Sequence, residues 1–270
     1  VGKALAAGIK NNVEILKIDP DLKTSIIDLK EFDPDICFIC VPTPMNDDGS
    51  QDLTILRKVI DEINEISISA LVVLKSTVLP NYITSIKHQI PNLIFNPEFL
   101  RERSANKDFL NSKLIVFGGP REQANNLANF YEKHTLCTST NYQFTDLIAA
   151  SLIKYAINTF LATKVVFFNE LNQIFNKSDA DDTWDNFINI ISIDERIGSS
   201  HMQVPGLDDK LGFGGTCFPK DCKALIKYSE EIENPFQLLK KSNQINNQIR
   251  KQYKSLSNRE AEQNTNFNDD

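Results

Sequence analysis

The stretch Gly212-Phe213-Gly214-Gly215-Thr216-Cys217-Phe218-Pro219-Lys220-Asp221 holds the residues best suited to do chemistry. Glycines ahead of a cysteine let the backbone approach a ligand closely, because no side chain stands between. Cys217 is therefore a candidate nucleophile. Lys220, and a helix opening near Pro219-Lys220, are the kinds of neighbour that favour a thiolate, the reactive form. The other cysteines lack such a setting. Cys37 and Cys40 share a Cys-x-x-Cys spacing, but they lie in an apolar run with no second pair, so zinc or redox chemistry is not expected there. Cys137 and Cys222 have no distinguishing context. His88, His134 and His201 share no ligand spacing, so no metal is expected.

Further polar residues fall where open α/β sheets bind ligands, just past the carboxyl ends of strands. Val41-Pro42-Thr43-Pro44 ends one apolar run, Ser76-Thr77 another, and Asn96-Pro97-Glu98-Phe99-Leu100-Arg101-Glu102 a third. A lone Pro-x-Pro is usually an ordinary turn, but three polar loops at one edge are harder to dismiss. Asp19 has two readings. It accepts the adenine ribose hydroxyls of a dinucleotide, which favours NAD over NADP, or it caps a turn. Gly2 fits the third glycine of a dinucleotide fingerprint, the one that lets helix pack on strand. Lys154 and Asn158 lie one turn apart on one helical face. Lys154 stands among Ile153, Tyr155, Ala156 and Ile157, and either snorkels to water or is buried for a purpose.

These residues need a scaffold that gathers strand ends. Residues 13–18, 36–41, 71–75, 93–96 and 114–118 read as strands. The continuous apolar run 36–41 suits a parallel strand buried on both faces. A helical pattern covers 53–66, with Asp52 as its cap. Strands alternating with helices imply βαβ crossovers. One long helix runs over 146–175, with others at 184–191, 221–229 and 235–256. The expected organisation is α/β: a Rossmann-like, doubly wound parallel sheet over 1–145, then an all-helical dimerisation and substrate domain over 146–256 carrying the cysteine loop. Residues 257–270 are polar, without an apolar period, and are expected to fray. The opening Val1-Gly2-Lys3-Ala4-Leu5-Ala6 reads as a helix start whose preceding strand is missing. The long helix is too apolar for so small a helical domain to cover, and an isologous homodimer is the usual remedy.

Bulk properties narrow the function. A chain of 270 residues, 41% hydrophobic, is large enough to pack a core. The net charge of −7 argues against nucleic acid but permits an anionic substrate held by a local cation or a helix N-terminus. No apolar run reads as membrane-spanning. Five scattered cysteines make no disulfide framework, so a reduced, cytoplasmic setting is expected.

Taken in order, Val41 to Pro44, Lys75-Ser76-Thr77-Val78, 96–102, 154–158, Asp194-Glu195-Arg196-Ile197-Gly198 and 212–221 resemble the UDP-glucose/GDP-mannose dehydrogenase family, over roughly 2–249. The resemblance implies an NAD-dependent, four-electron oxidation of a nucleotide sugar's C6 alcohol to a carboxylate, UDP-glucose to UDP-glucuronate foremost, through a cysteine thioester. It implies Cys217 as nucleophile. It places Lys154, Asn158 and Asp221 around the reacting C6 oxygen and a catalytic water. Glu98 matches a residue that assists thioester hydrolysis, and Thr77 one that holds water and cofactor. Glu98, Phe99, Leu100, Glu102, Lys154, Asn158, Phe213 and Gly214 match substrate-binding positions. Asp19, Thr43, Glu102 and Lys220 match cofactor contacts, beside Gly2, Thr77 and, more loosely, Lys23.

The chain departs from that pattern in places. The stretch from Asp19 to Val41 is short, 205–211 reads as an insertion, and His201 stands where an aromatic residue is common. The family's C-terminal nucleotide-binding domain is not seen after 256, which leaves the nucleotide and sugar unassigned. Two other readings stand beside the leading one: an inactive NAD- or nucleotide-sugar-binding module, and a two-electron 3-hydroxyacid dehydrogenase. Intact Lys154, Cys217 and Asp221 weigh against the first. Cys217 in its glycine loop weighs against the second, since simple alcohol dehydrogenation needs no nucleophile.

Overall fold

The computed structural model describes residues 1–253 and 255–267, apart from the side chains of Glu102 and Arg259. The chain forms two compact units, Val1–Thr43 with Asp52–Lys154, and Pro44–Gln51 with Tyr155–Asp270. The division between these units falls inside a helix, at 154/155, and the loop 44–51 goes with the second unit.

In the first unit, α1 (Gly2–Gly8) and α2 (Leu29–Phe32) precede β1 (Ile36–Ile39). Then come α3 (Thr54–Ile66), β2 (Leu71–Leu74), α4 (Pro80–Ile86), β3 (Leu93–Phe95), α5 (Ala105–Leu110), β4 (Ile115–Gly118), α6 (Arg121–His134) and β5 (Tyr142–Thr145). The strands lie side by side in the order β1-β2-β3-β4-β5. Pairing is parallel at Ile36↔Leu71, Leu74↔Phe95 and Ile115↔Tyr142. β3 meets β4 antiparallel at Phe95↔Gly118, so the sheet is mixed rather than wholly parallel.

Alternate residues feed two cores. Val72, Leu74, Leu93, Phe95 and Val116 pack on one face with Leu56, Ile60 and Ile63 of α3 and Ile83 and Ile86 of α4. Val73, Ile94, Ile115 and Phe117 pack on the other with Leu5 of α1, Phe109 of α5 and Leu127 and Tyr131 of α6. Burial on both faces is why these strands read as unbroken apolar runs. Each such aliphatic side chain contributes about 1.5–3 kcal/mol. Leu53, not the expected Asp52, stands in the capping position of α3; Asp52, one residue earlier, accepts the Thr54 N–H at 2.9 Å.

Residues 13–18 form no strand, contrary to the expectation. A strand's backbone groups need a neighbouring strand or water. The one strand paired with β1 among the described residues is β2, and 13–18 carries no regular secondary structure, with Ile15 exposed.

In the second unit the long helix α7 (Leu147–Lys177) continues from the first, followed by α8 (Trp184–Ser192), α9 (Phe218–Glu231), α10 (Gln237–Arg250) and α11 (Asn258–Glu262). Asp146 launches α7, its Oδ1 accepting the N–H groups of Ile148 and Ala149 at 2.8 and 2.9 Å. Among the described residues α7 alone is long and apolar enough to cross a membrane, which corrects the reading that no run reaches that length. Its Ser151, Lys154, Asn158, Lys164 and Asn169 are nevertheless buried within the protein. Lys164, for instance, donates to Ile197 O and Gly198 O at 3.0 and 2.9 Å.

The expected frayed tail is also corrected over 257–267. That segment carries α11 and buries Glu260, Thr265 and Phe267. Polar contacts hold it in place of an apolar period: Met45 N–H donates to Gln263 O at 3.2 Å, and Asn264 Nδ2 to Met45 O at 3.1 Å. The tail's last residues, 268–270, lie outside the described residues.

Candidate active site

Parallel strands aim their carboxyl ends at one edge, and in the first unit that edge carries the polar loops. Thr43, past β1, is buried and donates its hydroxyl to Thr77 O at 2.9 Å. Ser76, past β2, donates to Val41 O at 2.7 Å. The two loops are thereby tied together, with Thr77 partly exposed between them. Past β3, the Glu98 carboxylate accepts the Phe99 N–H at 3.0 Å and pairs with the Lys75 ammonium at 3.0 Å. Lys154 of α7 donates to the Glu98 carbonyl and lies 5.2 Å from the centre of the Phe99 ring. It is buried, so the snorkelling reading gives way to burial with polar partners.

Lys75 organises this edge from below. Its ammonium donates to Asn96 Oδ1 at 2.8 Å, and the Tyr131 hydroxyl donates to the same oxygen at 2.7 Å. Asn96 Nδ2 donates onward to Val116 O at 2.9 Å. Burial opposes the lysine's charge, but the Glu98 carboxylate, with smaller contributions from Tyr131 and Cys40, outweighs it and raises the Lys75 pKa above its ordinary value. Burial likewise raises the Tyr131 hydroxyl, keeping it a donor. The Cys37 thiol is pushed up to about 11 by burial and by Cys40, as befits an inert core cysteine.

The second unit presents the cysteine. Cys217 is exposed and is the residue that opens α9, with Pro219 in the helix's first turn. The Thr216 hydroxyl is 3.5 Å from its sulfur. Behind it Asp221 is almost wholly buried and accepts from Lys220 Nζ and from Asn158 Nδ2, both at 2.6 Å. Burial opposes the charge on Lys220, but Asp221 and then Cys217 raise its pKa. Phe213 is buried and its amide donates to Asn246 of α10, while the amides of Gly212 and Gly215 donate to Asn169 of α7 and Glu260 of α11. Asn158, Phe213, Gly214, Cys217, Lys220 and Asp221 thus share one unit. Thr43, Thr77, Glu98, Phe99, Leu100 and Lys154 share the other.

Asp19 and Lys23 stand apart in their own turn. Asp19 Oδ1 caps the turn Pro20–Leu22 by accepting the Asp21 N–H at 3.0 Å, and Lys23 closes it with φ 57°. The side chain of Glu102 lies outside the described residues.

Comparison with known proteins decides the family. Residues 4–135 match the NAD binding domain of the UDP-glucose/GDP-mannose dehydrogenases, and residues 148–248 match their central domain. The chain belongs to the UDP-glucose/GDP-mannose dehydrogenase family. Within that family it is 37% identical over 195 residues to a UDP-glucose 6-dehydrogenase of Rickettsia bellii, covering 70% of this chain and 43% of that protein. It is 36% identical over 228 residues to one of Bacillus subtilis, covering 79% and 48%. Among solved structures, a UDP-glucose dehydrogenase of Pyrobaculum islandicum aligns with a TM-score of 0.68 and 30% identity, covering 78% of this chain and 50% of that one. The chain therefore spans about half the length of the dehydrogenases it matches.

The residues of the family's NAD binding domain fit the dinucleotide. A Cβ on Gly2 would come within 3.4 Å of Cys40 Cβ, so a glycine there brings α1 close to the end of β1. The Asp19 cap uses one carboxylate oxygen, so the cap and ribose readings are compatible. Thr43 and Thr77 supply hydroxyls at the strand ends. Sequence reasoning missed the roles of Lys75 and Tyr131. A lysine closing a run buried on both faces was the available signal for the first; nothing local marks the second. It also missed Asn169, Asn246, Arg250 and Glu260, which hold the glycine loop.

Proposed function

We propose that this chain is the cofactor- and nucleophile-bearing part of an enzyme that oxidises the C6 alcohol of UDP-glucose to a carboxylate through a thioester on Cys217. The carrying observation is an exposed cysteine at the start of α9, preceded by a pinned glycine loop and backed by the Lys220–Asp221–Asn158 cluster. Bound NAD supplies the hydride acceptor, held by Gly2, Asp19, Thr43 and Thr77, with Lys23, Glu102 and Lys220 as further contacts.

The chain's own residues do the rest. Lys154 and Asn158 donate to the C6 oxygen and stabilise negative charge as it develops there. The C6 alcohol gives up a C6 hydrogen as the first hydride and its hydroxyl proton to a water held beside Asp221, leaving an aldehyde; the Cys217 thiolate then adds to the aldehyde carbon. The thiohemiacetal loses its C6 hydrogen as the second hydride and becomes a thioester. Water then adds to the thioester carbonyl while Glu98 takes its proton; the carbon–sulfur bond breaks, releasing the carboxylate and regenerating the thiolate. Asp221 holds Asn158 and Lys220 in place, and Phe99, Leu100, Phe213 and Gly214 line the sugar and phosphate.

Two further readings accompany this one. Phe160, Phe167 and Ile174, exposed at seven-residue intervals on α7, support a homodimer. Five free cysteines support a reduced, cytoplasmic setting. The test is NADH release from the full chain given NAD and UDP-glucose. Two NADH per sugar and a carboxylate product are expected, and Cys217→Ala abolishes acid formation while NAD binding stays intact. One NADH per sugar, or acid formation surviving in the variant, defeats the thioester.

A further inference from the structure

Three of the four residues at 212–215 are glycine, so fixing this loop costs much backbone entropy, and something must hold it just ahead of Cys217. Buried side chains take its amides. Gly212 N–H donates to Asn169 Oδ1 at 2.9 Å and Phe213 N–H to Asn246 Oδ1 at 2.6 Å. Gly215 N–H, nearest the cysteine, donates to Glu260 Oε1 at 2.9 Å. The Arg250 guanidinium lies against Gly214: a Cβ there would stand 2.2 Å from Arg250 Nη2 and 2.5 Å from Glu260 Oε1. Arg250 and Glu260 pair at 3.1 Å with side chains only 2% and 3% exposed. Arg250 also donates to Asp208 Oδ2 at 2.9 Å. The second oxygen of Glu260 accepts from the N–H and hydroxyl of Ser257 at 2.8 and 2.9 Å. Burial works against the Glu260 carboxylate, but the bonds from Ser257 and Gly215 and the charge of Arg250 hold its pKa below the ordinary value.

We propose that Glu260 and Arg250 are positioning residues for Cys217. Glu260 clamps the Gly215 amide, and Arg250 is both its counter-ion and the surface on which Gly214 rests. Neither touches the reacting atoms. The inference deepens the proposed reaction and rests on it in taking Cys217 as the nucleophile. The clamp itself is independent of that reading: a carboxylate with no polar partner but water would not stay so deeply buried, and here each of its oxygens is taken by a donor of the chain.

The test compares Glu260→Ala and Glu260→Gln in the full chain by amide hydrogen exchange over 211–218, together with kcat and KM on UDP-glucose. Glutamine keeps an oxygen for the Gly215 N–H; alanine does not. In Glu260→Ala, exchange is expected to quicken in the loop while α9 and α10 keep their protection, and kcat falls roughly 100-fold, the scale of an ångström's misplacement, with KM unchanged. Glu260→Gln restores loop protection and most of kcat. The proposal is overturned by unchanged loop exchange in the alanine variant, by a glutamine variant as loose as the alanine one, or by loosening that spreads equally through α9 and α10. Should Glu260→Ala not fold, Arg250→Lys serves in its place: it keeps a charge beside Glu260 but loses the fork, and loop exchange that stays at the wild-type rate again overturns the clamp. A wild-type chain that forms no NADH counts against the proposed reaction alone, because hydrogen exchange decides on the clamp without turnover.

Discussion

Each unit buries a lysine–carboxylate pair, and the two are built in opposite directions. In the first, Lys75 is the deep member at 2% exposure and Glu98 sits nearer the rim at 10%. In the second, Asp221 is deep at 1% and Lys220 is at the rim at 11%. The deep member of each also bonds a further buried side chain, Lys75 to Asn96 and Asp221 from Asn158. The rim member is the one able to meet a substrate, water or thiol. Similar ion pairs thus present a carboxylate in one unit and an ammonium in the other, fitting a proton acceptor in the first and an anion-stabilising group in the second.

That contrast has an energetic consequence that can break it. Removing the rim member strands a deep charge; removing the deep member leaves a charge that water can reach. Glu98→Gln should therefore cost about 3–5 kcal/mol, since only the weaker effects of Tyr131 and Cys40 then oppose burial of Lys75, while Lys75→Met costs about 1–3 kcal/mol. The second unit mirrors this, with Lys220→Met more costly than Asp221→Asn. Urea unfolding of the four variants measures it, and a reversed order in either pair would show that depth does not set the roles.

Apolar surface sharpens the comparison further. The sheet of the first unit buries both faces, whereas α7 of the second leaves Phe160, Phe167 and Ile174 exposed. Replacing Phe160 and Phe167 with glutamate should convert a dimer to a monomer by light scattering at micromolar concentration, without loss of secondary structure. A wild-type chain already monomeric there removes the dimer.

The smallest effect concerns the loop that carries Glu98. Arg101 grips Asp108 through Nε and Nη2, at 2.9 and 2.8 Å. Its hydrogen bonds bring the Asp108 carboxyl down to about 2 against a modest opposing effect of burial. A depressed carboxylate stabilises the fold above its unfolded value, about 3.9, and loses that contribution as pH falls through the folded one. Arg101 is 73% exposed, so water screens the pair, and the loss should reach only about 0.5–1 kcal/mol. Melting curves taken across this acid range should show that slope, and Asp108→Asn should flatten it.

Much of this was legible in the sequence, and the misses share a cause. The runs that became β1 to β4 announced themselves because two-sided burial leaves no polar positions, and α7 because its apolar pattern is long. Residues 13–18 read equally well as a strand, but a strand is completed by its neighbour, which no local pattern reports. Tyr142–Thr145 gives no strand signal, because a short, half-exposed edge strand alternates too briefly to stand out. The segment 257–267 reads as a frayed end because Glu260, Gln263 and Asn264 anchor it by hydrogen bonds, which leave no period in the sequence. Cys217 and Asp221 were legible from their glycine loop. Lys75 stands in a motif, but its role is not legible there, since its partners Asn96, Glu98 and Tyr131 come from two distant stretches of chain.

The loop 44–51 carries a consequence for how the molecule is made. It leaves the first unit after β1 and belongs to the second, where Met45 meets Gln263 and Asp48 meets Lys227. A growing polypeptide emits this loop long before its partners. At roughly 5–20 residues per second, the interval between the loop and Gln263 is about 10–40 s. Through that time the sheet can close around its strands, but the loop must wait outside it with its backbone groups in water. The second unit thus keeps an open stitch until Gln263 and Asn264 emerge and draw it shut.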